Sequence, residues 1–172
     1  MSGSFRKNGQ VSRAIDTDHT SCDGSNVPDT QTRSCRGHDL DVVKTLIMES
    51  GLSAEGLEDQ FPEGYVVAES AGDIIGCAGV EIHGACGLLR SVAVIPHRRG
   101  EKTGEKLVTN RLDWARSRGI TAVYLLTDAA ENYFVRLGFE RIDRTTAPVE
   151  IRASHEYSVM CPETADVMLI RL

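Results

Sequence analysis

A short basic loop that leads into a helix is the feature of this sequence best suited to chemistry. The loop covers residues 97–104, HRRGEKTG, and follows an apolar, strand-like stretch at 88–95. The first N–H groups of a helix have no partner within the helix, and the positive end of the helix dipole favours anions there. The loop therefore predicts a phosphate-binding cradle, with an ordinary basic strand-to-helix turn as the alternative.

Spacing excludes two common nucleotide-binding motifs from this loop. Three residues separate Gly100 from Gly104, and Glu105 rather than a lysine follows Gly104. This pattern is neither a Walker A loop nor G-x-G-x-x-G.

Arg90 is a cation inside the apolar stretch that precedes the loop. A charged side chain in such a position requires an anion. Two hypotheses follow: Arg90 binds a carboxylate or another anionic group of a substrate, or it pairs with an acidic neighbour inside the protein. Arg152, in the irregular C-terminal part, is a weaker candidate for a second substrate clamp.

The elements that must position these residues follow from the hydrophobic pattern. Helices are predicted at 39–50, at 55–60, from Glu105 to just before Gly119, from Ala129 to Gly138, and near 149–157. Strands are predicted at 65–69, 73–81, 88–95, 122–126, 139–143 and 167–172. The strand, helix and strand around the loop form a β-α-β unit, whose two strands become parallel neighbours. Because antiparallel hairpins precede this unit, the sequence predicts an α/β protein with a central mixed β-sheet flanked by helices.

Residues 88–104, LLRSVAVIPHRRGEKTG, resemble motif A of the GNAT family of N-acetyltransferases. In that family an R/Q-x-x-G-x-G/A loop holds the pyrophosphate of acetyl-coenzyme A (acetyl-CoA). Its six positions are occupied here by Arg99, Gly100, Glu101, Lys102, Thr103 and Gly104. Lys102 stands where the family usually has glycine. Its side chain can obstruct a close approach of backbone to phosphate, or it can add a cation to the site.

A second segment, AENYFVRLGF at 130–139, resembles motif B of the same family. The resemblance extends from about Asp39 to Phe139 and implies the GNAT acyl-CoA N-acyltransferase fold. It also implies an enzyme that moves an acetyl group from acetyl-CoA directly to a primary amine. The segments LLRSVAV, YLLTDAAENYFVRLGF and APVEIRAS are further similar to the arsenic-resistance-associated ArsN subgroup. That narrower resemblance implies a small, amino-acid-like acceptor, which includes arsenic-containing molecules.

The family mechanism implies roles for particular residues. Backbone N–H groups of the strand before the loop bind the acetyl carbonyl, and Val92, Ala93 and Val94 match that segment. In many members a motif B tyrosine is the general acid that protonates the departing thiolate. That position is Phe134 here, and the tyrosine lies one residue earlier, at Tyr133. Because one residue turns a helix by about 100°, Tyr133 is either the acid or a half-buried packing aromatic. The thiolate can also leave without a dedicated donor.

The general base has two candidates. Glu81, at the end of the preceding strand, is the first, and its alternative is a solvated charge at a sheet edge. His83 is the second, because histidine titrates near neutral pH. Its place in a glycine-containing turn is also typical of a merely exposed side chain.

Composition limits the classes of partner. The chain has 172 residues, 41% of them hydrophobic, and a net charge of −6, which argues against nonspecific binding to nucleic acid or to an anionic membrane. No apolar run approaches the roughly 20 residues that span a bilayer, and the first residues lack the apolar core of a secretory signal. We therefore expect a cytoplasmic protein. Residues 1–28 are predicted to be a disordered extension and residues 29–172 a single domain.

The cysteines and histidines leave two alternatives open. His19, Cys22, Cys35 and His38 have the pair spacing of a zinc knuckle, but the segment between them lacks hydrophobic residues, so no metal is expected. The five cysteines are predicted to be free thiols. One alternative function is a thiol-based arsenite or metal binder that uses Cys77, Cys86 or Cys161. The other is a non-catalytic acyl-CoA-binding module with the GNAT fold. Since dimers are common in that family, a homodimer is left open.

Overall fold

The computed structural model describes residues 29–160 and 164–172. The predicted disordered extension at 1–28 lies outside the described residues. His19 and Cys22 of the zinc hypothesis are also outside the described residues, as is Cys161 of the thiol hypothesis.

The centre of the fold is a seven-stranded mixed sheet. Its strands are β1 (Gln31–Ser34), β2 (Tyr65–Ser70), β3 (Asp73–His83), β4 (Cys86–Val94), β5 (Ala122–Thr127), β6 (Glu140–Ile142) and β7 (Asp166–Arg171). They lie in the order β1-β2-β3-β4-β5-β7-β6, and only the β4–β5 pair is parallel. The predicted mixed sheet and its β-α-β unit are therefore confirmed.

The helices are α1 (Leu40–Glu49), α2 (Thr103–Ser117), α3 (Glu131–Arg136) and α4 (Val149–Arg152). Two predictions of helical extent were wrong. The helix predicted at 55–60 is only a 3-10 turn at Leu57–Asp59, and the helix predicted at 149–157 ends at Arg152 and is followed by a π-helical turn at Glu156–Met160. The long helix α2 also begins two residues before the predicted Glu105, which brings Thr103 and Gly104 into its first turn.

The helices cover both faces of the sheet. On one face α2 and α3 pack through Val108, Leu112 and Phe134 against side chains of β4 and β5. On the other face α1 packs through Val43 and Ile47 against β2 and β3. The C-terminal segment covers the second half of that face. Ile151 and Tyr157 of that segment pack on Leu88 of β4 and Tyr124 of β5.

Strand β1 was not predicted, because its sequence QTRS is polar and has no apolar alternation. Backbone pairing with β2 holds it in place, from Gln31 opposite Glu69 to Ser34 opposite Val66. Arg33 fixes it further: its guanidinium lies 2.6 Å from the Glu69 carboxylate and 2.7 Å from that of Asp39. An edge strand held by pairing and ion pairs leaves little hydrophobic signal in the sequence.

The parallel pair at the centre of the sheet is short. β4 and β5 are paired only from Cys86 opposite Ala122 to Leu88 opposite Tyr124, and both strands continue beyond that point. A bulge in β4 accompanies the separation: the register with β3 shifts between Cys77 and Gly79, and Ser91 has a φ of 55°. Bulges bend a strand and are frequent beside functional sites. A wedge therefore opens between the two strands.

Candidate active site

Four cavities lie in this wedge or near β4, and we name them by position. The loop cavity, about 630 Å³, lies against the first turn of α2. Its lining includes Val92, Val94, Arg98, Arg99, Gly100, Lys102, Thr103, Gly104, Tyr133 and Arg136. The wedge cavity, about 180 Å³, lies between β4 and β5. The outer cavity, about 340 Å³, lies beside it at Gly51–Ser53 and Asp128–Ala130. The side cavity, about 450 Å³, lies at Glu81, His83 and Arg90.

The loop cavity lies at the N-terminus of α2, where the backbone can bind an anion. The chain leaves β4 at Val94, makes a 3-10 turn at Pro96–Arg98, and enters α2 at Thr103. Gly100 has a φ of 85° and Lys102 a φ of 61°, so both residues adopt the left-handed conformation. The first N–H groups of the 15-residue helix α2 open toward this side, where a helix N-terminus favours a phosphate.

Lys102 has the backbone conformation that favours glycine, although it carries a side chain. An L-residue in this conformation costs about 1–2 kcal/mol. The loop thus keeps the shape that a glycine at this position would allow, and the exposed Lys102 side chain adds a cation beside the first turn of α2.

Not all of the predicted loop residues line the loop cavity. Arg99, Gly100, Lys102, Thr103 and Gly104 line the loop cavity, and Glu101 does not. The Glu101 carboxylate lies 2.7 Å from Nε of Arg98, so its charge is compensated within the loop. Arg98 also donates to Ser70 at the end of β2 and to Thr30 just before β1, which ties the loop to these two strands.

Successive side chains at the end of β4 lie on opposite faces of the sheet. Val92 and Val94 line the loop cavity, whereas Ala93 is buried on the other face with Cys77 and Val43. Beyond Leu88, β4 has no pairing with β5. Backbone groups of β4 that point into the wedge are therefore free of sheet partners on that side.

Tyr133 lies where the loop cavity meets the wedge cavity, and it lines both. Its hydroxyl is buried and has no hydrogen-bond partner among the described residues. Burial is the main cause that raises the pKa of Tyr133, and Glu105 raises it further. The next residue, Phe134, is turned into the core, where its ring packs edge-on against Phe139. Tyr133 thus lines both cavities, whereas Phe134 borders only the wedge cavity.

Gly104 shows how closely Tyr133 approaches α2. A Cβ added to Gly104 would lie 2.5 Å from the Tyr133 hydroxyl oxygen, a distance that real atoms do not tolerate. The glycine therefore allows the hydroxyl to reach the first turn of the helix. Thr103 beside it is buried, and its hydroxyl has no partner among the described residues either. Unpartnered buried polar atoms are rare, so both hydroxyls fit a site that a polar ligand completes.

Glu81 and Tyr133 are not brought together. Glu81 lines the side cavity, whereas Tyr133 lines the loop and wedge cavities. Burial raises the pKa of Glu81, but its hydrogen bonds to His83 and Arg90 outweigh that effect and hold the pKa below its usual value. A lowered pKa makes a carboxylate a weaker base. His83 Nε2 lies 3.2 Å from the Glu81 carboxylate, so the two base candidates form one pair.

Arg90 is surrounded by partners from three other parts of the chain. Its guanidinium donates to the Glu81 carboxylate and, at 2.8 Å, to the Glu55 carbonyl oxygen. Its Nε lies 2.9 Å from the Glu156 carboxylate. The Arg90 side chain is 2% exposed. Of the two hypotheses for Arg90, the internal pair is the one that the described residues form.

Glu156 is the residue that sequence reasoning missed. It lines both the wedge cavity and the outer cavity, and its side chain is 14% exposed. Burial is the main cause that raises its pKa, while Arg90 opposes the rise. It lies in the irregular C-terminal part, where neither hydrophobic spacing nor a motif singled it out. Arg152, the weaker clamp candidate, is exposed and lines none of the four cavities.

The thiols and histidines do not form a metal site in the described residues. No group of three or more His, Cys, Asp or Glu side chains there is arranged to hold a metal ion. Burial raises the pKa of Cys35 and of Cys77 to about 12, so both stay protonated at neutral pH. Cys86 is partly exposed, and burial raises its pKa as well. None of the helices in residues 29–160 and 164–172 is long and apolar enough to cross a membrane.

Comparison with known proteins identifies the family. The model of the acetyltransferase (GNAT) family matches residues 39–139, which include β2 to β5, the loop and α3. The chain belongs to the GNAT family. The mixed sheet, the basic loop at α2 and the open wedge are thus a GNAT acetyltransferase fold.

The curated relatives cover part of this chain. An amino-acid acetyltransferase of Aeromonas salmonicida is 30% identical over 117 residues, which are 64% of this chain and 26% of that protein. A mycothiol acetyltransferase of Thermobispora bispora is 33% identical over 97 residues, which are 52% of this chain and 32% of that protein. The chain matches only about a quarter of the length of the amino-acid acetyltransferases.

Solved structures share the fold. N-acetylglutamate synthase of Neisseria gonorrhoeae, complexed with coenzyme A and L-arginine, superimposes with a TM-score of 0.70 at 23% identity, over 83% of this chain and 33% of that one. Rv2747 of Mycobacterium tuberculosis, in a complex that contains CoA, gives a TM-score of 0.72 at 25% identity, over 83% of this chain and 99% of that one. This chain therefore matches nearly the whole length of Rv2747.

Proposed function

We propose that this protein is an acetyl-CoA-dependent N-acetyltransferase that acetylates the primary amine of a small, amino-acid-like molecule by direct transfer. The observation that carries the proposal is the position of Tyr133, whose unpartnered hydroxyl lies between the loop cavity and the wedge cavity. An anion-binding helix end and an opening in the sheet are thus joined by a side chain that can give a proton.

Each part of the site has a task in this proposal. The loop residues Arg99, Gly100, Lys102, Thr103 and Gly104 hold the pyrophosphate through backbone N–H groups and cations. Acetyl-CoA supplies an acetyl group that is activated as a thioester. Backbone N–H groups of Val92 and Val94 orient the acetyl carbonyl and stabilise the negative charge that develops on its oxygen. Tyr133 gives a proton to the departing sulfur.

The nature of the acceptor is the finer part of the proposal. The amino-acid acetyltransferases among the relatives support a small amine. The similarity to the ArsN subgroup extends the class to arsenic-containing amino acids, and the acceptor panel below includes one. A homodimer belongs to the same set of expectations, and light scattering of the purified chain tests it.

The first experiment is a calorimetric titration of the wild type with acetyl-CoA, repeated on Lys102→Glu. That variant reverses one charge on the loop cavity. Gly104→Glu is less informative, because its side chain would also displace Tyr133. Lys106→Glu is the matched control. It reverses the same charge nearby on α2, and Lys106 does not line the loop cavity.

We expect binding by the wild type, retention by Lys106→Glu, and a loss of about tenfold or more in Lys102→Glu, which is about 1.4 kcal/mol. A panel of protein amino acids, their amides and an arsenic-containing amino acid then identifies the acceptor by release of the CoA thiol and by the mass of the amide. Binding without transfer to any amine would favour the non-catalytic module. No binding by the wild type would contradict the proposal.

A further inference from the structure

Several buried polar atoms near Arg90 and Ser91 of β4 make no hydrogen bond within the described residues. In the part of the chain that the structure describes, Tyr65 Oη, Arg90 Nε, Ser91 Oγ and Glu156 Oε2 are buried without a hydrogen bond. Burial raises the pKa of Tyr65, whereas Arg90 and Ser91 both lower it, and Ser91 does so as a neighbour of the Tyr65 hydroxyl, so these three side chains lie close together. Arg90 Nε and Glu156 Oε2 lie 2.9 Å apart but are not aligned for a hydrogen bond. Arg90 and Glu156 compensate each other as an ion pair. Because buried polar atoms are nearly always paired, the Ser91 hydroxyl, which borders the wedge and outer cavities, indicates the place of a polar ligand.

Glu156 and Tyr133 each border the wedge cavity and one cavity next to it. Tyr133 lines the loop and wedge cavities, and Glu156 lines the wedge and outer cavities. Ser91, the bulge residue of β4, also lines both the wedge and the outer cavity. The wedge cavity is therefore bordered by a phenol toward the loop and by a carboxylate toward the outer cavity.

The charges of the outer cavity select a cation. Its lining contains two carboxylates, Asp128 and Glu156, and no lysine, arginine or histidine from the described residues. The rest of the lining is small or apolar, with Gly51, Leu52 and Ala130 as examples. A carboxylate-lined cavity of about 340 Å³ suits a small ammonium ion better than an anion.

The groups that face Glu156 leave it poised to exchange a proton. Arg90 of β4 and the neighbouring His155 lower its pKa, and Glu81 of β3 raises it. Asp128, which follows β5, shares the outer cavity with it. Burial prevails, so the pKa lies above the usual value for a glutamate. Such a carboxylate is a stronger base than a solvated one.

We propose that the outer cavity admits the acceptor as a small primary ammonium ion, and that Glu156 removes the proton that must leave before the nitrogen can attack. This inference rests on the proposed N-acetyltransferase function and names its base and the chemical class of its acceptor. Arg90 then acts as the fixed counter-ion that keeps Glu156 in place.

The proton and electron balance of the step is complete. The ammonium group gives one proton to the Glu156 carboxylate, and the freed lone pair forms the N–C bond to the acetyl carbon. The C–S bond breaks, its electron pair stays on sulfur, and the sulfur takes the Tyr133 proton. The second proton lost by the nitrogen restores the Tyr133 hydroxyl, and the proton on Glu156 passes to solvent. One ammonium ion and one thioester give one amide, one thiol and one released proton.

The kinetic test uses the fastest amine of the acceptor panel and measures kcat/KM against pH. We expect Glu156→Gln to lower kcat/KM by about 100-fold or more, in the range of general-base effects. We also expect it to remove the fall in rate at acid pH, because a base must be unprotonated to act. Glu156→Asp keeps the carboxylate and should retain that fall at a reduced rate. Glu150→Gln is the matched control, since Glu150 lies in the same C-terminal segment but lines neither the wedge nor the outer cavity.

A second readout needs neither acceptor turnover nor acetyl-CoA. The carboxyl resonance of Glu156, labelled with carbon-13 and assigned from Glu156→Gln, is followed by NMR as ethylamine hydrochloride is added. We expect this resonance to shift more than with sodium chloride at equal ionic strength. Glu150 should respond equally to both salts. Circular dichroism shows whether Glu156→Gln is folded.

The outcomes separate this inference from the proposed function. If the wild type transfers acetyl groups and Glu156→Gln loses less than about threefold of kcat/KM, the role as base is overturned while the proposed function stands. If ethylamine and sodium chloride shift the Glu156 resonance equally, the ammonium site is overturned. If the wild type fails to bind acetyl-CoA, the proposed function fails, and the NMR titration still decides whether the outer cavity binds an ammonium ion.

Discussion

At the scale of single residues, the rings of the neighbours Tyr133 and Phe134 have different surroundings. A step of about 100° around the helix turns the phenol toward the loop cavity and the phenyl ring into the core, where it borders only the wedge cavity. The sequence could identify Tyr133 as a candidate, but only the backbone of α3 decides which ring faces the ligand. Glu156 could not be predicted, because the role that we propose for it depends on a contact with Arg90, 66 residues away, and not on local spacing.

Tyr133→Phe tests the acid at this scale. Removing the hydroxyl leaves the ring in place, so the dissociation constant of acetyl-CoA should change little, whereas kcat should fall by about tenfold or more. The fall should be present across neutral pH, because burial raises the Tyr133 pKa and keeps the phenol protonated there. Stopped-flow and steady-state assays of thiol release measure it.

Tyr124→Phe is the matched control for that experiment, since Tyr124 is buried among Leu88 and Ile151 on the opposite face. An unchanged kcat in Tyr133→Phe would mean that the thiolate leaves without this donor.

At the scale of elements, the loop and the first turn of α2 are specified by backbone conformation more than by side chains. The sequence predicted the strand, the loop and the helix correctly, because hydrophobic period and glycine placement are local signals. It could not predict the bulge at Ser91, whose φ of 55° arises from the register between β3 and β4. The opening beside that bulge therefore has no local signal in the sequence.

Lys102→Gly tests the loop. A glycine adopts the φ of 61° without the steric penalty, so the free energy of unfolding should rise by up to about 1 kcal/mol. The same change removes a cation, so acetyl-CoA should bind a few times more weakly at low salt and nearly as well as to the wild type at high salt. Denaturant unfolding and calorimetry measure the two effects. Tighter binding by the glycine variant would instead show that the lysine side chain obstructs the phosphate.

At the scale of the whole molecule, Arg90 joins segments that are distant in the chain. Its partners are Glu55 before β2, Glu81 in β3, and Glu156 in the C-terminal segment. The sequence indicated that Arg90 needs an anion, and that was correct. Which anion it meets depends on how the C-terminal segment crosses the sheet, and that long-range arrangement has no local signal.

Arg90→Gln should therefore lower the free energy of unfolding by about 3–5 kcal/mol at neutral pH, because two buried carboxylates lose their counter-ion. The Glu81 pKa is held below its usual value by His83 and Arg90, so the stabilisation is present above the unfolded pKa of a glutamate and is lost as the pH falls. The difference between variant and wild type should thus shrink in acid. Denaturant unfolding at several pH values measures it.

Arg116→Gln is the control for this experiment, because Arg116 makes an exposed pair with Asp113 and should change stability by no more than about 1 kcal/mol. A cost for Arg90→Gln as small as that of the control would contradict the role of Arg90 as a buried counter-ion.

The short seam between β4 and β5 has a consequence for how the chain folds. Strands β1 to β4 pair in sequence order, and β5, β6 and β7 pair among themselves. Each half of the sheet is thus made from consecutive sequence, and contacts close in sequence form fast. The seam from Cys86 to Leu88 and its β5 partners joins the halves by backbone pairing, together with the hydrogen bond from the Thr121 N–H to the Ala85 carbonyl oxygen beside it. The wedge lies between them, so a chain in which either half is unfolded has no wedge and cannot form the proposed site.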